Sequence, residues 1–120
     1  MITYVLLTAI VLFIGYRFWV SSKLPKVTVS EAKELKKDKQ SVFLDVRTLA
    51  EWKSGHIDSA IHIPLQELAS RIVELNSKKD KQIIVYCQSG GRSTSATQIL
   101  LKNGFNVKNM IGGYSAWGRN

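Results

Sequence analysis

Residues 81–104 read KQIIVYCQSGGRSTSATQILLKNG, and they dictate a strand, a glycine turn and a helix in that order. The run KQIIVYC is apolar and β-branched, which suits a central strand buried on both faces. Glycines at 90 and 91 let the backbone curl where a Cβ would clash. The residues from Arg92 onward form a helix with Gly104 as its C-cap. The other segments alternate in the same way. VTVS is predicted to be a short strand leading into a helix, EAKELKK, with Ser30 as N-cap. SVFLDV (41–46) is a buried strand, TLAEWKSG a short helix with Thr48 at its start, and AIHIP (60–64) a short strand ended by proline. LQELASRIVELN (65–76) has the apolar spacing of an amphipathic helix. NVKNM is a last strand, and IGGYSAWGRN ends in a turn and a short helix. Strands alternating with helices predict an α/β domain with a mostly parallel sheet. Ligands in such sheets bind beyond the strand carboxyl ends, where both Cys87 and Asp45 lie.

The chain opens with a different kind of segment. Residues 2–20, ITYVLLTAIVLFIGYRFWV, carry a single charge, Arg17, near the end. As a helix they span about 28 Å, close to the hydrocarbon thickness of a bilayer. Tyr4, Tyr16 and Trp19 suit the interfaces, and Arg17 can snorkel to the headgroups. No Lys or Arg precedes the apolar run, and VSSKLP is a poor small-x-small cleavage site, so an uncleaved anchor is favoured over a signal peptide. Basic residues follow the segment, from Lys23 and Lys26 to Lys39, which places the remainder of the chain in the cytoplasm. The expected organisation is an anchor at 1–20, a linker at 21–26 and one domain over 27–120.

The chain holds one cysteine among 120 residues. An intramolecular disulfide and a paired-cysteine zinc site are therefore excluded, and a lone thiol suits a reducing compartment. The formal net charge is +8, which favours anionic surfaces or small anions, although a solvated lysine surface explains it equally well. Nothing resembles a nucleic-acid-binding motif.

Cys87 raises the chemical question. Between a strand and a helix, the residues Gln88, Ser89, Gly90, Gly91, Arg92 and Ser93 can point successive N–H groups inward and form an anion-binding nest backed by the helix N-terminus. A sulfur at the centre of that nest is favoured as thiolate, without a general base. Arg92 adds fixed positive charge and can brace the loop. Two chemistries fit: sulfane sulfur transfer through a cysteine persulfide, and phosphoryl transfer through a cysteinyl-phosphate. A tetrahedral phosphate needs a wider ring of amides than one sulfur atom, and here four residues separate Cys87 from Arg92. A structural cysteine would not need two glycines and an arginine in the next five residues.

Four motifs in register resemble the single-domain rhodanese family: LDVRTLAEWKSGHI (44–57), SAIHIP (59–64), IVYCQSGGRS and NVKNMIGGYSAW (106–117). The resemblance covers roughly residues 26–118. It implies a rhodanese-like domain of about five mostly parallel strands flanked by helices, preceded here by one transmembrane helix. It also implies a persulfide on Cys87, held by the loop residues Gln88 to Ser93. Six-residue loops are typical of sulfurtransferases in this family and seven-residue loops of its phosphatase and arsenate reductase relatives; residues 87–92 match the shorter form. The expected donor is a small anion such as thiosulfate or a persulfide, and the acceptor a thiol, cyanide or a protein. No metal or organic cofactor is implied. Asp58 stands where the family has proline. Gln88, Ser89 and Gly90 lack the basic residue that members using thiosulfate readily often place there.

Asp45 and Arg47 are supporting candidates, with Asp45 read as a partner of loop backbone or of Arg47. Arg47 and Glu51 are four apart and can form a helix-start ion pair. Ser93 is read as a helix cap with its N–H in the nest. His56 and His62, Trp52 and Trp117 are read as packing or turn residues, and Gly112 and Gly113 as letting a turn approach the active loop. Two other functions stay open: a phosphatase or arsenate reductase, and a membrane docking or redox-sensing domain without catalysis.

Overall fold

In this computed structural model, residues 2–118 are described. The chain runs α1 (Ile2–Lys23), β1 (Lys26–Val27), α2 (Val29–Leu35), β2 (Ser41–Asp45), α3 (Leu49–Ser54), β3 (Ile61–His62), α4 (Leu65–Arg71), β4 (Gln82–Tyr86), α5 (Gly91–Lys102), β5 (Asn106–Met110) and α6 (Gly113–Trp117). The five strands form one sheet in the order β1-β5-β4-β2-β3, and every pairing is parallel. This is the α/β architecture that the alternation of strands and helices predicts.

The central strand shows why the sheet must be covered on both sides. Along β4, Ile83 and Val85 join one core cluster with Leu44, Leu68, Ala96, Leu100 and Val107. Ile84 and Tyr86 join the other with Phe43, Ala32 and Met110. Successive side chains point to opposite faces, so the alternation carries Cys87 onto the face of Val85, under the N-terminus of α5. Asp45 pairs in register with Tyr86. The loops that leave β2 and β4 are therefore neighbours at the carboxyl edge of the sheet.

Several expected boundaries shift for local reasons. The N-cap of α2 is Thr28 and not Ser30: Thr28 accepts from the Glu31 N–H at 3.1 Å and Glu31 returns a bond to the Thr28 N–H, a capping box. Thr48 and Glu51 repeat it at α3. The helix expected over 65–76 is α-helical only to Arg71 and continues as a 3₁₀ stretch, Ile72–Lys78. The β-branched pair Ile72-Val73 weakens the α form there, and the three-residue repeat keeps Ile72 and Leu75 on the core side. At the end of α5, Asn103 is the C-cap, and Gly104 follows it with φ +83°. Phe105 and Gly104 N–H bond back to Leu100 and Leu101, the Schellman arrangement. The stretch expected as a linker is partly helical, because α1 runs to Lys23 and only residues 24–25 join it to β1.

In α1, the span Ile2–Trp19 is long and apolar enough to cross a membrane, and none of it is buried in the domain. Its one threonine, Thr8, donates its hydroxyl to the Tyr4 carbonyl at 2.8 Å, so that the polar group is satisfied within the helix.

Candidate active site

The β4–α5 connection folds over the cysteine. Gly90 is the N-cap of α5 with φ +129°, a conformation that only glycine adopts without strain. From there its N–H donates to Cys87 Sγ at 3.0 Å. The Ser93 hydroxyl lies 3.4 Å from Sγ and donates to the Gly90 carbonyl at 3.0 Å. In the thiol form, S–H can donate to Ser93 Oγ while that hydroxyl donates to Gly90. In the thiolate form, the hydroxyl is free to turn its proton to sulfur. Burial alone would raise the Cys87 pKa; the Ser93 hydroxyl and the N–H groups of Ser93, Gly90 and Ser89 outweigh it and hold the thiol below its ordinary value. The residue is 1% exposed. Sequence reading gave Ser93 a capping role; in the fold Gly90 holds the cap position, and the Ser93 side chain sits against the sulfur.

Two arginines fix the loop from different sides. Arg92 makes a two-pronged ion pair with Glu51 at 2.7 and 2.9 Å, tying the start of α5 to α3. The hydrogen bond from Arg92 leads the effects that lower Glu51 to about 2, against the smaller opposing effect of burial and with help from Thr48. Arg47 does not pair with Glu51 as their spacing suggested. It lies 2% exposed against Asp45, which is fully buried. Its Nε donates to both carboxylate oxygens at 3.1 Å, and its Nη2 to Oδ2 at 2.8 Å. Burial works against the Arg47 charge, and the hydrogen bonds and charge of Asp45 outweigh it. Arg47 also donates to Gly55 O at 2.6 Å and to the Gln88 side-chain oxygen at 3.0 Å. Its guanidinium stacks over the Tyr114 ring at 4.4 Å. Asp45 thus reaches the loop through Arg47 and Gln88.

The third support is α6. Tyr114 N–H donates to the Cys87 carbonyl at 2.8 Å, and Ser115 N–H to that of Gln88 at 3.1 Å. Gly113 makes this approach possible: a Cβ there would lie 2.5 Å from the Cys87 oxygen and 2.6 Å from the Gln88 oxygen. The turn at 112–113 does approach the loop, as the sequence suggested. Trp117 packs edge-on against Phe43, and Trp52 is stacked between His56 and His62. His62 bonds the Arg47 carbonyl at 2.8 Å and His56 the Trp52 carbonyl at 2.9 Å, so both histidines serve the α3 region. Sequence reading missed Tyr114 as the stacking partner of Arg47, and Glu51 as the ion-pair partner of Arg92. Among the described residues, no group of three His, Cys, Asp or Glu side chains could hold a metal ion.

The Rhodanese-like domain family matches residues 28–120. The chain is 42% identical over 89 residues to "Thiosulfate sulfurtransferase 16, chloroplastic" of Arabidopsis thaliana, covering 65% of this chain and 74% of that protein. It is 38% identical over 84 residues to a "Sulfurtransferase" of Allochromatium vinosum, covering 68% and 77%. The solved structure of the human single-domain sulfurtransferase TSTD1 superposes with a TM-score of 0.71 at 27% identity, covering 80% of this chain and 96% of that one. The glycine loop over Cys87 thus sits in a sheet shared with sulfurtransferases, and the chain belongs to the Rhodanese-like domain family.

Proposed function

We propose that this chain is a sulfurtransferase that carries sulfane sulfur on Cys87. The observation that carries this reading is the sulfur itself, held between the Gly90 N–H and the Ser93 hydroxyl in a six-residue loop. The thiolate attacks the outer sulfur of a donor such as thiosulfate. A bond forms between Sγ and that sulfur, the donor's own S–S bond breaks, and its electron pair leaves with sulfite. The N–H groups of residues 88–93 then face the terminal persulfide anion. Arg92, bound to Glu51, and Arg47, bound to Gln88, hold the loop still. The sulfur passes on to a thiol, cyanide or a protein acceptor, and the thiolate returns.

Intact mass spectra before and after a sulfane donor test this directly. One added sulfur, removed by cyanide and absent in Cys87→Ser, is the expected result. No gain with either thiosulfate or a persulfide donor would refute it, and turnover of an aryl phosphate would point to phosphoryl transfer instead. The short loop supports sulfur over phosphate.

We further propose that residues 2–20 anchor the chain in a lipid bilayer, with the domain on the cytoplasmic side. The length and apolar surface of α1 support this, as do the lysines that follow it. Retention in the membrane fraction through high salt and carbonate is expected, and release without detergent would refute it.

A further inference from the structure

Strand β5 carries a polar residue where the core pattern calls for an apolar one. Asn109 is 7% exposed. Its Nδ2 donates to Thr94 Oγ1 at 3.2 Å, and the Thr94 hydroxyl in turn donates to the Gly90 carbonyl at 2.8 Å. That hydroxyl has one proton, already committed to Gly90, so its oxygen can only accept from Asn109. In this arrangement Asn109 Oδ1 is left buried with no hydrogen-bond partner among the described residues. A buried acceptor without a donor is costly and rare.

Asn109 and Thr94 line a cleft of about 310 Å³ together with Ser89, Gly90, Lys26 and Phe18. The cleft reaches the loop that holds the sulfur, at Ser89 and Gly90. Asn109 is the register partner of Val85, two residues before Cys87 on the same sheet face. Strand spacing and rise put the Asn109 and Cys87 Cα atoms about 8 Å apart. The Gly90 peptide is shared: it lines the cleft and its N–H holds Sγ. A Cβ built on Gly90 would meet nothing within 4 Å, so the loop is open at this rim. A terminal persulfide sulfur would extend about 2 Å beyond Sγ.

We propose that this cleft is the acceptor subsite, and that it takes a small anionic thiol carrying an N–H donor. The inference rests on the sulfur-transfer reading above. The acceptor's N–H pairs with Asn109 Oδ1, Lys26 attracts its anionic group, and its thiolate is presented beside Gly90. The thiolate attacks the terminal sulfur of the persulfide. A new S–S bond forms to the acceptor, the bond to Cys87 breaks, and its electron pair remains on Sγ as thiolate. The transferred sulfur keeps its negative charge as the acceptor's own terminal persulfide anion, and no outside oxidant or reductant is required.

Two measurements on the full chain in detergent test this. N-acetylserine, an unreactive probe with the same N–H and carboxylate, is titrated by calorimetry; binding weakened at least fivefold by Asn109→Leu and by Lys26→Gln is expected. Preformed persulfide is then discharged to N-acetylcysteine or to 2-mercaptoethanol, which has neither group. The ratio of the two KM values is expected to rise at least fivefold in both variants. Lys26 is exposed, so its variant keeps the test valid should Asn109→Leu fail to fold. No binding of N-acetylserine to the unaltered chain, with water alone meeting Asn109, would overturn the subsite whatever the chain's activity. Binding with an unchanged KM ratio would overturn the acceptor role. Failure of Cys87 to take up any sulfur would overturn the sulfur-transfer reading and the acceptor role with it.

Discussion

Replacing Gly113 by alanine should damage the loop more than any other single methyl added to this chain's glycines. The new Cβ would lie 2.5 Å from the Cys87 oxygen, 2.6 Å from the Gln88 oxygen and 2.7 Å from the Gln88 carbonyl carbon. These are backbone atoms, so no side chain can turn aside. Gly113 also has φ +60°, which costs an L-residue about 1–2 kcal/mol. Relief requires α6 and the loop to separate by at least about half an ångström. That weakens the bonds from Tyr114 and Ser115 to the two loop carbonyls, each worth about 1 kcal/mol. Overpacking adds about 1–3 kcal/mol more, so a total near 4 kcal/mol is expected. For a domain of this size that lowers Tm by roughly 15–30 °C. Two neighbours calibrate the measurement. Gly112→Ala meets side chains alone, Ala116 at 2.9 Å and Val29 at an ordinary 3.9 Å, with φ +88°, and should cost about half as much. Gly118→Ala meets nothing within 4 Å and should be neutral. Thermal unfolding followed by circular dichroism reads all three. Persulfide formation well below each Tm should fall at least about tenfold in Gly113→Ala alone. A Gly113→Ala chain within about 1 kcal/mol of the parent, or no weaker than Gly112→Ala, would refute the reasoning.

Three further predictions concern charge. Arg47→Met strands the buried Asp45 carboxylate and should cost about 3–5 kcal/mol by urea unfolding. Adding Asp45→Asn should recover part of that loss, and an unchanged double variant would show that the ion pair is not the cause. Ser93→Ala removes the side-chain bond that holds the thiol down. Cys87 should then alkylate more slowly than the parent near neutral pH and converge with it at high pH, and coincident pH profiles would refute this. Glu51 has a folded pKa of about 2 against an ordinary 4.5. Its contribution is present above 4.5 and lost as pH falls through 2. Because both partners are partly exposed, that loss should be about 1 kcal/mol. It should be missing from Glu51→Gln, and an equal acid loss in that variant would refute the assignment.

The legible and illegible parts of this chain divide by the range of the interactions involved. Strand β4 and the loop after it could be read directly, because period-2 burial, glycine turns and helix ends are local effects. The capping boxes were equally local, and Thr28 with Glu31 three residues on was a visible signal that Ser30 displaced. Asp45, two residues from Arg47, was a legible partner, but the other partners of the arginines were not local. Spacing offered Glu51 to Arg47, whereas the sheet order sets β2 beside β4, so that Arg47 meets Gln88 and Arg92 meets Glu51, each across 41 residues. Tyr114 reaches Arg47 only because α6 folds back beneath the loop.

Asn109 shows what lay between the two. Read as a strand, NVKNM places Val107 and Asn109 on one face, and an amide among core positions was a signal available without coordinates. Its meaning was not available, because it depends on the direction of a single proton. Thr94 donates to Gly90 and is therefore an acceptor toward Asn109, which leaves Oδ1 unpaired beside the cysteine loop. The Gly90 carbonyl accepts from Thr94 and Ser93, and the N–H of the same residue, in the preceding peptide unit, donates to sulfur. A donor that reaches Asn109 therefore touches the network that fixes Gly90, the residue whose N–H holds the sulfur, and sequence order alone could not have joined its members.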